Sequence, residues 1–261
     1  MNDNETNPSP SEKSSGGPKF NAKADMERPK LKRFYKDVTL EVEEPGFLIL
    51  LDGRVVKTPM KQDLLVPAKA LAEAIAEEWA GQDEVIDLET MIFTKLANTA
   101  LDRVVPRRQE IVDELLGFAG SDLLCYRATE PAALIEREDI AWGPFLAWLK
   151  ESHDVEMSVA SGILHVAQEP GALEKFGSLY ESLDGFALTS AHNLTTLTGS
   201  AILALALLKE KSTPEQVWQA AHVDEDFQIE RWGEDEEASR RRALRLQEFL
   251  KTYDFYCLST D

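Results

Sequence analysis

The densest group of chemistry-bearing side chains is the acidic run from His222 to Ala238. It carries eight carboxylates and one arginine. Because His222 and Asp226 are four residues apart, a helix would place both on one face, where they could share a metal ion. A carboxylate-bridged metal site, and with it a metal-dependent enzyme, is therefore one interpretation. The carboxylates are Asp224, Glu225, Asp226, Glu230, Glu234, Asp235, Glu236 and Glu237.

Two other interpretations of this run compete with the metal site. A di-metal helical bundle would need further histidines at Glu-x-x-His spacing, and the sequence has none. Runs of like charge usually form a solvated helix face. The four acids from Glu234 to Glu237 begin a predicted helix, where carboxylates favour the helix dipole. These carboxylates can form ion pairs with arginines that lie about four residues further along the same helix, namely Arg240, Arg241, Arg242 and Arg245.

The third interpretation is an acidic docking surface for another protein. Ion pairing within the helix does not explain Trp232-Gly233, which lies at the junction of two predicted helices. Tryptophan is enriched at the centres of protein–protein interfaces, although a core position suits Trp232 equally well. The residues predicted to bind a partner are Trp232, Asp224, Glu225, Asp235, Glu236 and Glu237.

Other reactive groups give weaker signals, and the sequence predicts no cofactor. Cys125 lies between apolar residues, which favours a buried structural thiol over a nucleophile. The two cysteines and four histidines have neither disulfide-framework nor metal-ligand spacing. No glycine pattern matches a phosphate-binding loop, and we assign Gly199 to close packing inside an apolar helix.

The charge balance limits the partners of this protein. Its 261 residues include 47 acidic and 28 basic ones, giving a net charge of -19. Such a surface repels nucleic acid and anionic lipid, and it favours a monomer. The longest apolar stretch, Leu194–Leu208, is 15 residues and so shorter than the roughly 20 of a membrane span. Without a targeting signal or a disulfide framework, we expect a cytoplasmic protein with no membrane insertion.

The elements that must position these side chains change character along the chain. Residues 1–28 have the composition of a disordered tail. Residues 29–105 begin with alternating strands, and Asp52-Gly53 predicts a tight hairpin. Residues 106–261 are mainly helical. The order predicts an α+β fold: a small N-terminal antiparallel β-rich module with flanking helices, then a larger, mainly α-helical domain.

Helical periodicity and capping signals place the helices. A Thr213-Pro214 start predicts a helix running toward Trp232, with Gly233 able to end it. Trp79 lies on an apolar stripe with Leu71 and Ile75, which predicts a core position. The remaining helical patterns cover Phe93–Val104, Ile111–Ala119, Ile140–Leu149, Ala172–Leu183, Leu188–Leu208 and Glu236–Tyr253.

Six blocks of the sequence, in order, resemble the ATP synthase assembly chaperones of the Atp-twelve family. The resemblance runs from about residue 31 to 255 and so leaves out only the N-terminal tail. The blocks are RFYKDVTLEV from Arg33, LDGRVVKTP from Leu51, AEEWAGQDEVID from Ala76, KLANTALDRV from Lys95, SDLLCYRA from Ser121 and DEDFQIERWGEDEEA from Asp224.

This resemblance implies a function and a site. Family members bind the free alpha subunit of the F-type ATPase catalytic head and keep it soluble until it pairs with beta subunits. The family's important glutamate corresponds to Glu236, four residues after Trp232, and its Glu-Trp pair corresponds to Glu78-Trp79. The lack of a transit peptide favours a bacterial member. A general holdase, which would protect unrelated proteins equally, stays open beside the metal-dependent enzyme.

Overall fold

The computed structural model of the chain describes residues 31–162 and 164–260, so the tail predicted for residues 1–28 lies outside it. Strands come first and helices dominate the remainder, which confirms the predicted α+β fold. The strands are β1 (Leu31–Lys32), β2 (Val38–Glu43), β3 (Gly46–Leu51), β4 (Arg54–Val55), β5 (Leu65–Val66), β6 (Val85–Ile86), β7 (Tyr126–Arg127) and β8 (Ala160–Ser161). The helices are α1 (Lys69–Ala80), α2 (Ile92–Thr99), α3 (Arg108–Gly120), α4 (Ala132–His153), α5 (Pro170–Ser178), α6 (Gly185–Thr198), α7 (Ala201–Leu208), α8 (Pro214–Ala221), α9 (Val223–Trp232) and α10 (Glu236–Thr260).

The module is built around an antiparallel sheet in which β3 is central. Strand β2 pairs with β3 along its whole length, and β4 and β5 also pair with β3. The predicted hairpin at Asp52-Gly53 is confirmed, with φ of 48° and 75° at the two turn residues. Asp52 tolerates the left-handed conformation and glycine adopts it freely, so this turn suits the twist of the strands.

Helix α1 covers the sheet and fixes the start of α2. Leu71, Ile75 and Trp79 are buried on one stripe of α1, as predicted. The neighbouring Glu78 accepts hydrogen bonds from the backbone N–H groups of Phe93 and Thr94, at 2.7 and 2.8 Å. Its carboxylate therefore satisfies donors in the first turn of α2 that have no partner within the helix.

The helical region is organised around α7, whose eight residues are all buried. Helices α3, α4, α6 and α8 all contact it. Helix α10 runs back along α6 to the β-rich module, where Phe255 is completely buried and stacks on Phe186 with ring centroids 5.9 Å apart. Helices α6 and α10 thus share a core with the strands. None of the helices in the described part of the chain is long and apolar enough to cross a membrane.

The apolar stretch Leu188–Leu208 is not one helix, so this prediction was wrong. Gly199 ends α6 with φ of 72°, a left-handed conformation, and a Cβ there would meet open space rather than a packed neighbour. Our assignment of Gly199 to close helix packing is also wrong. Ser200 then begins α7, and its hydroxyl donates to buried Asp122 at 2.7 Å. Asp122 also accepts from the N–H of Ile202 at 3.1 Å, so the break is held by hydrogen bonds.

The predicted helix from Thr213 to Trp232 is also divided. Thr213 and Gln216 form the predicted capping box at its start, and Gly233 ends it. His222 interrupts it, with φ of −123°, and so separates α8 from α9. The buried His222 ring packs against Trp218, with centroids 3.9 Å apart and the ring planes tilted by 35°, and its Nδ1 donates to the Trp218 carbonyl at 2.7 Å. The bend turns α9 so that it packs against α4.

Candidate functional site

The junction of α9 and α10, residues 232–237, lies on the surface and is called here the acidic junction. Helix α9 ends because Gly233 adopts φ of 88°, and its N–H donates to the Ile229 carbonyl at 2.8 Å. Trp232 directly precedes this end and is 77% exposed. A solvent-exposed tryptophan at a helix end can act as an anchor residue for binding another protein.

The acids of the junction begin α10 and pair with the arginines that follow. Asp235 Oδ1 accepts from the N–H of Ala238 at 2.8 Å, which caps the helix. Glu236 lies 3.2 Å from Arg240, four residues on, and its side chain is 91% exposed. Exposed pairs of this kind contribute at most ~1 kcal/mol. Glu236 is therefore held loosely and can exchange its arginine for a cation on a partner.

Two stronger ion pairs fix α9 below the junction. Asp226 of α9 lies 2.5 Å from Arg242 of α10. Glu230 of α9 accepts two hydrogen bonds from Arg137 of α4, at 2.8 and 2.6 Å. The hydrogen bond to Arg137 lowers the pKa of Glu230, so the pair stays ionised across the neutral range. Helix α9, which ends at the acidic junction, is thus connected by ion pairs to both α4 and α10.

Asp224 turns away from the junction and faces the buried Glu138 of α4. The two carboxyl groups are within hydrogen-bonding reach. Glu138 accepts from the N–H of Ala128 at 2.8 Å, whereas Asp224 Oδ1 is shielded from solvent and receives no hydrogen bond from the described residues. Burial and the facing Asp224 raise the pKa of Glu138 to about 7. The structure therefore separates Asp224 from Asp235, Glu236 and Glu237, which lie together at the junction.

Glu225 and His222 form a separate contact at the start of α9. Glu225 is half-buried, and its carboxylate lies 4.0 Å from His222 Nε2. Burial lowers the pKa of His222. His222 and Asp226 do not converge on a common point, since one bonds to Trp218 and the other to Arg242. Within residues 31–162 and 164–260, no group of three or more histidine, cysteine or acidic side chains is arranged to hold a metal.

The buried thiol of Cys125 follows the prediction of a structural cysteine. It is fully buried, and burial together with nearby Asp122 raises its pKa to about 12. A thiol with so high a pKa is not a nucleophile at neutral pH. The Glu78-Trp79 pair is structural in the same sense: Trp79 is in the core, and Glu78 caps α2.

A surface groove between α4, α8 and α9 escaped the sequence analysis. It has a volume of about 780 Å³, and Ile140 lies at its edge with 70% of its surface exposed. The sequence predicted a helix over Ile140–Leu149 without assigning Ile140 to a face, and the core-facing stripe of α4 consists of Glu138, Trp142, Phe145 and Leu149. Ile140 lies two residues from both Glu138 and Trp142, and residues two apart do not share a helix face.

Comparison with known proteins identifies the family. The family model described as ATP12 chaperone protein matches residues 32–150. The crystal structure of Atp12 from Paracoccus denitrificans has a TM-score of 0.83 and 39% identity, covering 88% of this chain and 98% of that one. The chain belongs to the ATP12 chaperone family. A protein from Agrobacterium tumefaciens of known structure is similar over 95% of this chain and 93% of its own, with a TM-score of 0.85 and 41% identity. The mitochondrial protein atp12 of Schizosaccharomyces pombe is 24% identical over 229 residues, which are 83% of this chain and 79% of the yeast protein.

The ATP12 family model covers only part of the chain. The ATP12 family model ends at residue 150, near the end of α4, and so does not reach the acidic junction. The structural similarities extend over 88% and 95% of the chain. Membership in the ATP12 family therefore rests on the whole fold, whereas the role of the junction must be argued from its own geometry.

Proposed function

We propose that this protein is an assembly chaperone for the F-type ATP synthase. In this proposal it binds the free alpha subunit of the catalytic head, keeps it soluble and hands it to beta subunits without hydrolysing nucleotide. It works as a monomer in the bacterial cytoplasm. The observation that carries the proposal is the match to Paracoccus Atp12 over 98% of that protein's length.

The exposed features of the acidic junction support this role. A subunit that awaits assembly presents an interface with an apolar centre and a polar rim. Trp232 offers a large apolar side chain to the centre, and Asp235, Glu236 and Glu237, which follow it in the chain, add exposed negative charge. Together with the net charge of -19, these acids would steer a basic patch of the client toward Trp232.

Release by competition fits the same surface. Without an energy source, a chaperone gives up its client only when a better partner competes for the same interface. The exposed ion pairs of the junction are weak individually, so binding can be selective without being too tight to reverse. Beta subunits would then displace the chaperone by burying more of the alpha-subunit surface.

Co-expression with the cognate ATP synthase subunits tests the proposal. The chain would be produced with the alpha subunit, and separately with beta, and the soluble fraction purified through the chaperone. We expect the alpha subunit to remain soluble and to co-purify, and beta to do neither. Recovery of both subunits would indicate a general holdase, and recovery of neither would overturn the proposal.

A charge reversal at Glu236 tests whether the acidic junction binds the alpha subunit. Because its side chain is 91% exposed, Glu236→Lys should leave the melting temperature unchanged while reducing recovery of the alpha subunit. Glu84→Lys, an exposed acid in the β-rich module, is the matched control and should recover alpha normally. If Glu236→Lys unfolds the protein, Glu236 is structural and the assignment of the junction fails.

A further inference from the structure

Strand β2 forms an open edge of the antiparallel sheet in the β-rich module. It pairs with β3 on one side, and no strand of the described residues pairs with it on the other. Four of its six residues are exposed, among them Val42 with 69% of its surface in water. An exposed edge of this length is a template for pairing with an added strand.

The hydrogen bonds of the sheet show which backbone groups of β2 face outward. The N–H of Asp52 donates to the Asp37 carbonyl at 3.0 Å, so these two residues are a hydrogen-bonded pair. The carbonyl of Ile49, opposite Leu40, accepts instead from Val56, on the other side of β3, at 2.8 Å. Bonded and non-bonded pairs alternate along an antiparallel ladder. The residues whose N–H and C=O groups point away from β3 are therefore Val38, Leu40 and Val42.

These outward groups form a row of three donors and three acceptors. Within residues 31–162 and 164–260, the backbone of β2 pairs with β3 alone. An extended segment laid along the row would gain main-chain hydrogen bonds, which provide affinity whatever its sequence. The side chains beside the row then decide which segment binds.

The side chains at one end of the edge are acidic and exposed: Glu41, Glu43 and the adjoining Glu44. Two cations of the sheet, Lys36 and Arg54, face Asp52 near the opposite end of β2. None of the three glutamates forms an ion pair with a described residue. The acids of the module that are paired are Asp63, Glu73 and Glu89.

This uncompensated charge selects the occupant of the edge. Two copies of the chain joined edge to edge would bring the same glutamates together, and like charges facing each other across strands are destabilising. A strand carrying lysine or arginine would place opposite charges there instead. The edge therefore disfavours a second copy and favours a basic strand.

We propose that the open edge of β2 takes an added strand from the client, namely an extended, basic segment of the alpha subunit. The inference rests on the proposed function, because the client is the alpha subunit. It gives the β-rich module a contact with the client in addition to the contact proposed for the acidic junction.

Amide hydrogen exchange of the full chain, read residue by residue, tests the edge directly. In the free protein the N–H groups of Val38, Leu40 and Val42 should exchange rapidly, because they face water. In the complex with the alpha subunit they should exchange at least ~10-fold more slowly. The alternate residues of β2, whose N–H groups donate to β3, are internal controls and should exchange slowly in both states.

Substitution at Val42 tests the same edge by affinity. Val42→Pro removes an outward N–H without removing a bond to β3, and Val42→Thr is the matched control that keeps the N–H. We expect Val42→Pro to bind the alpha subunit about 10-fold more weakly, and Val42→Thr to stay within about twofold of the wild type. Glu43→Lys reverses a charge beside the edge and should weaken binding about 5-fold. If Val42→Pro does not fold, Glu43→Lys and the exchange measurement decide.

The outcomes separate this inference from the proposed function. If the wild type binds alpha while exchange at the three outward amides is unchanged, the edge inference is wrong and the proposed function stands. Slow exchange at these amides in the free protein would also overturn it, because the edge would already be covered. Protection that depends on concentration would then identify a second copy, and constant protection another part of this chain. If the wild type fails to bind alpha, the proposed function fails, and the edge inference with it.

Discussion

The buried carboxyl group of Glu138, which faces Asp224, makes the stability of this protein depend on pH. Burial and the facing Asp224 carboxylate disfavour the ionised form of Glu138, so the folded chain holds the Glu138 proton to a higher pH than the unfolded chain does. Burial, followed by Asp224, raises the pKa of Glu138 from its ordinary 4.5 to about 7, and Arg127 opposes this rise. Arg127 is itself paired with Asp139 at 3.1 Å, which weakens its effect.

The sign of the effect follows from proton binding. Above pH 4.5 the unfolded chain releases the proton of Glu138, whereas the folded chain keeps it until about pH 7. The contribution of Glu138 is fully present below pH 4.5 and is lost as pH rises through 7. At about 1.4 kcal/mol per pKa unit, the whole loss is roughly 3 kcal/mol. About 2 kcal/mol of it falls between pH 5.5 and 8, a range that avoids the isoelectric point near 4.7.

Glu138→Gln removes this titration and keeps the hydrogen bonds. The amide oxygen can still accept from Ala128, and the amide nitrogen can donate to Asp224. Urea unfolding would be followed for both proteins from pH 5.5 to 8. We expect the variant to gain about 2 kcal/mol over the wild type across this range. Glu136→Gln, on the exposed face of α4, is the control and should show no such gain. A difference between Glu138→Gln and wild type that stays constant with pH would refute the raised pKa of Glu138.

Three further substitutions follow from the geometry. Glu78→Ala removes the cap of α2 and should lower the free energy of unfolding by about 3 kcal/mol in urea titrations, whereas exposed Glu77→Ala should change it by less than ~0.5 kcal/mol. Gly199→Ala places a side chain at φ of 72° and should cost roughly 1–2 kcal/mol; an unchanged midpoint would contradict the role of Gly199 as a helix end. Trp232→Ala should leave the melting temperature unchanged and weaken alpha-subunit binding by roughly 30-fold, and equal binding would exclude Trp232 as an anchor.

Features fixed by neighbouring residues could be predicted from the sequence. The Asp52-Gly53 hairpin and the capping box of Thr213 depend on local backbone preferences, and both formed as expected. The stripe of α1 that buries Trp79 follows from helical periodicity alone. The helix break at Gly199 was missed because the apolar pattern continues across it, and the contact of Ser200 with distant Asp122, which helps to hold the break, is not local in sequence.

The parts of the candidate site that depend on tertiary packing could not be predicted. Asp224 and Glu225 belong to one acidic run, but the orientation of α9 against α4 sends Asp224 to Glu138 and leaves Glu225 near His222. The sequence did not show whether Trp232 is buried or exposed, because core and surface tryptophans can have the same neighbours along the chain. The groove at Ile140 requires three helices to meet, which no local pattern encodes.

Transfer of the client tests the account most directly, because it separates an assembly chaperone from a protein that only binds. The purified complex of this chain with the alpha subunit would be mixed with purified beta subunit, and the products separated by size exclusion with light scattering. We expect alpha to move into an alpha–beta complex and the chaperone to elute alone at its monomer mass of 29.2 kDa. A chaperone that stays bound to alpha in the presence of excess beta would contradict the account.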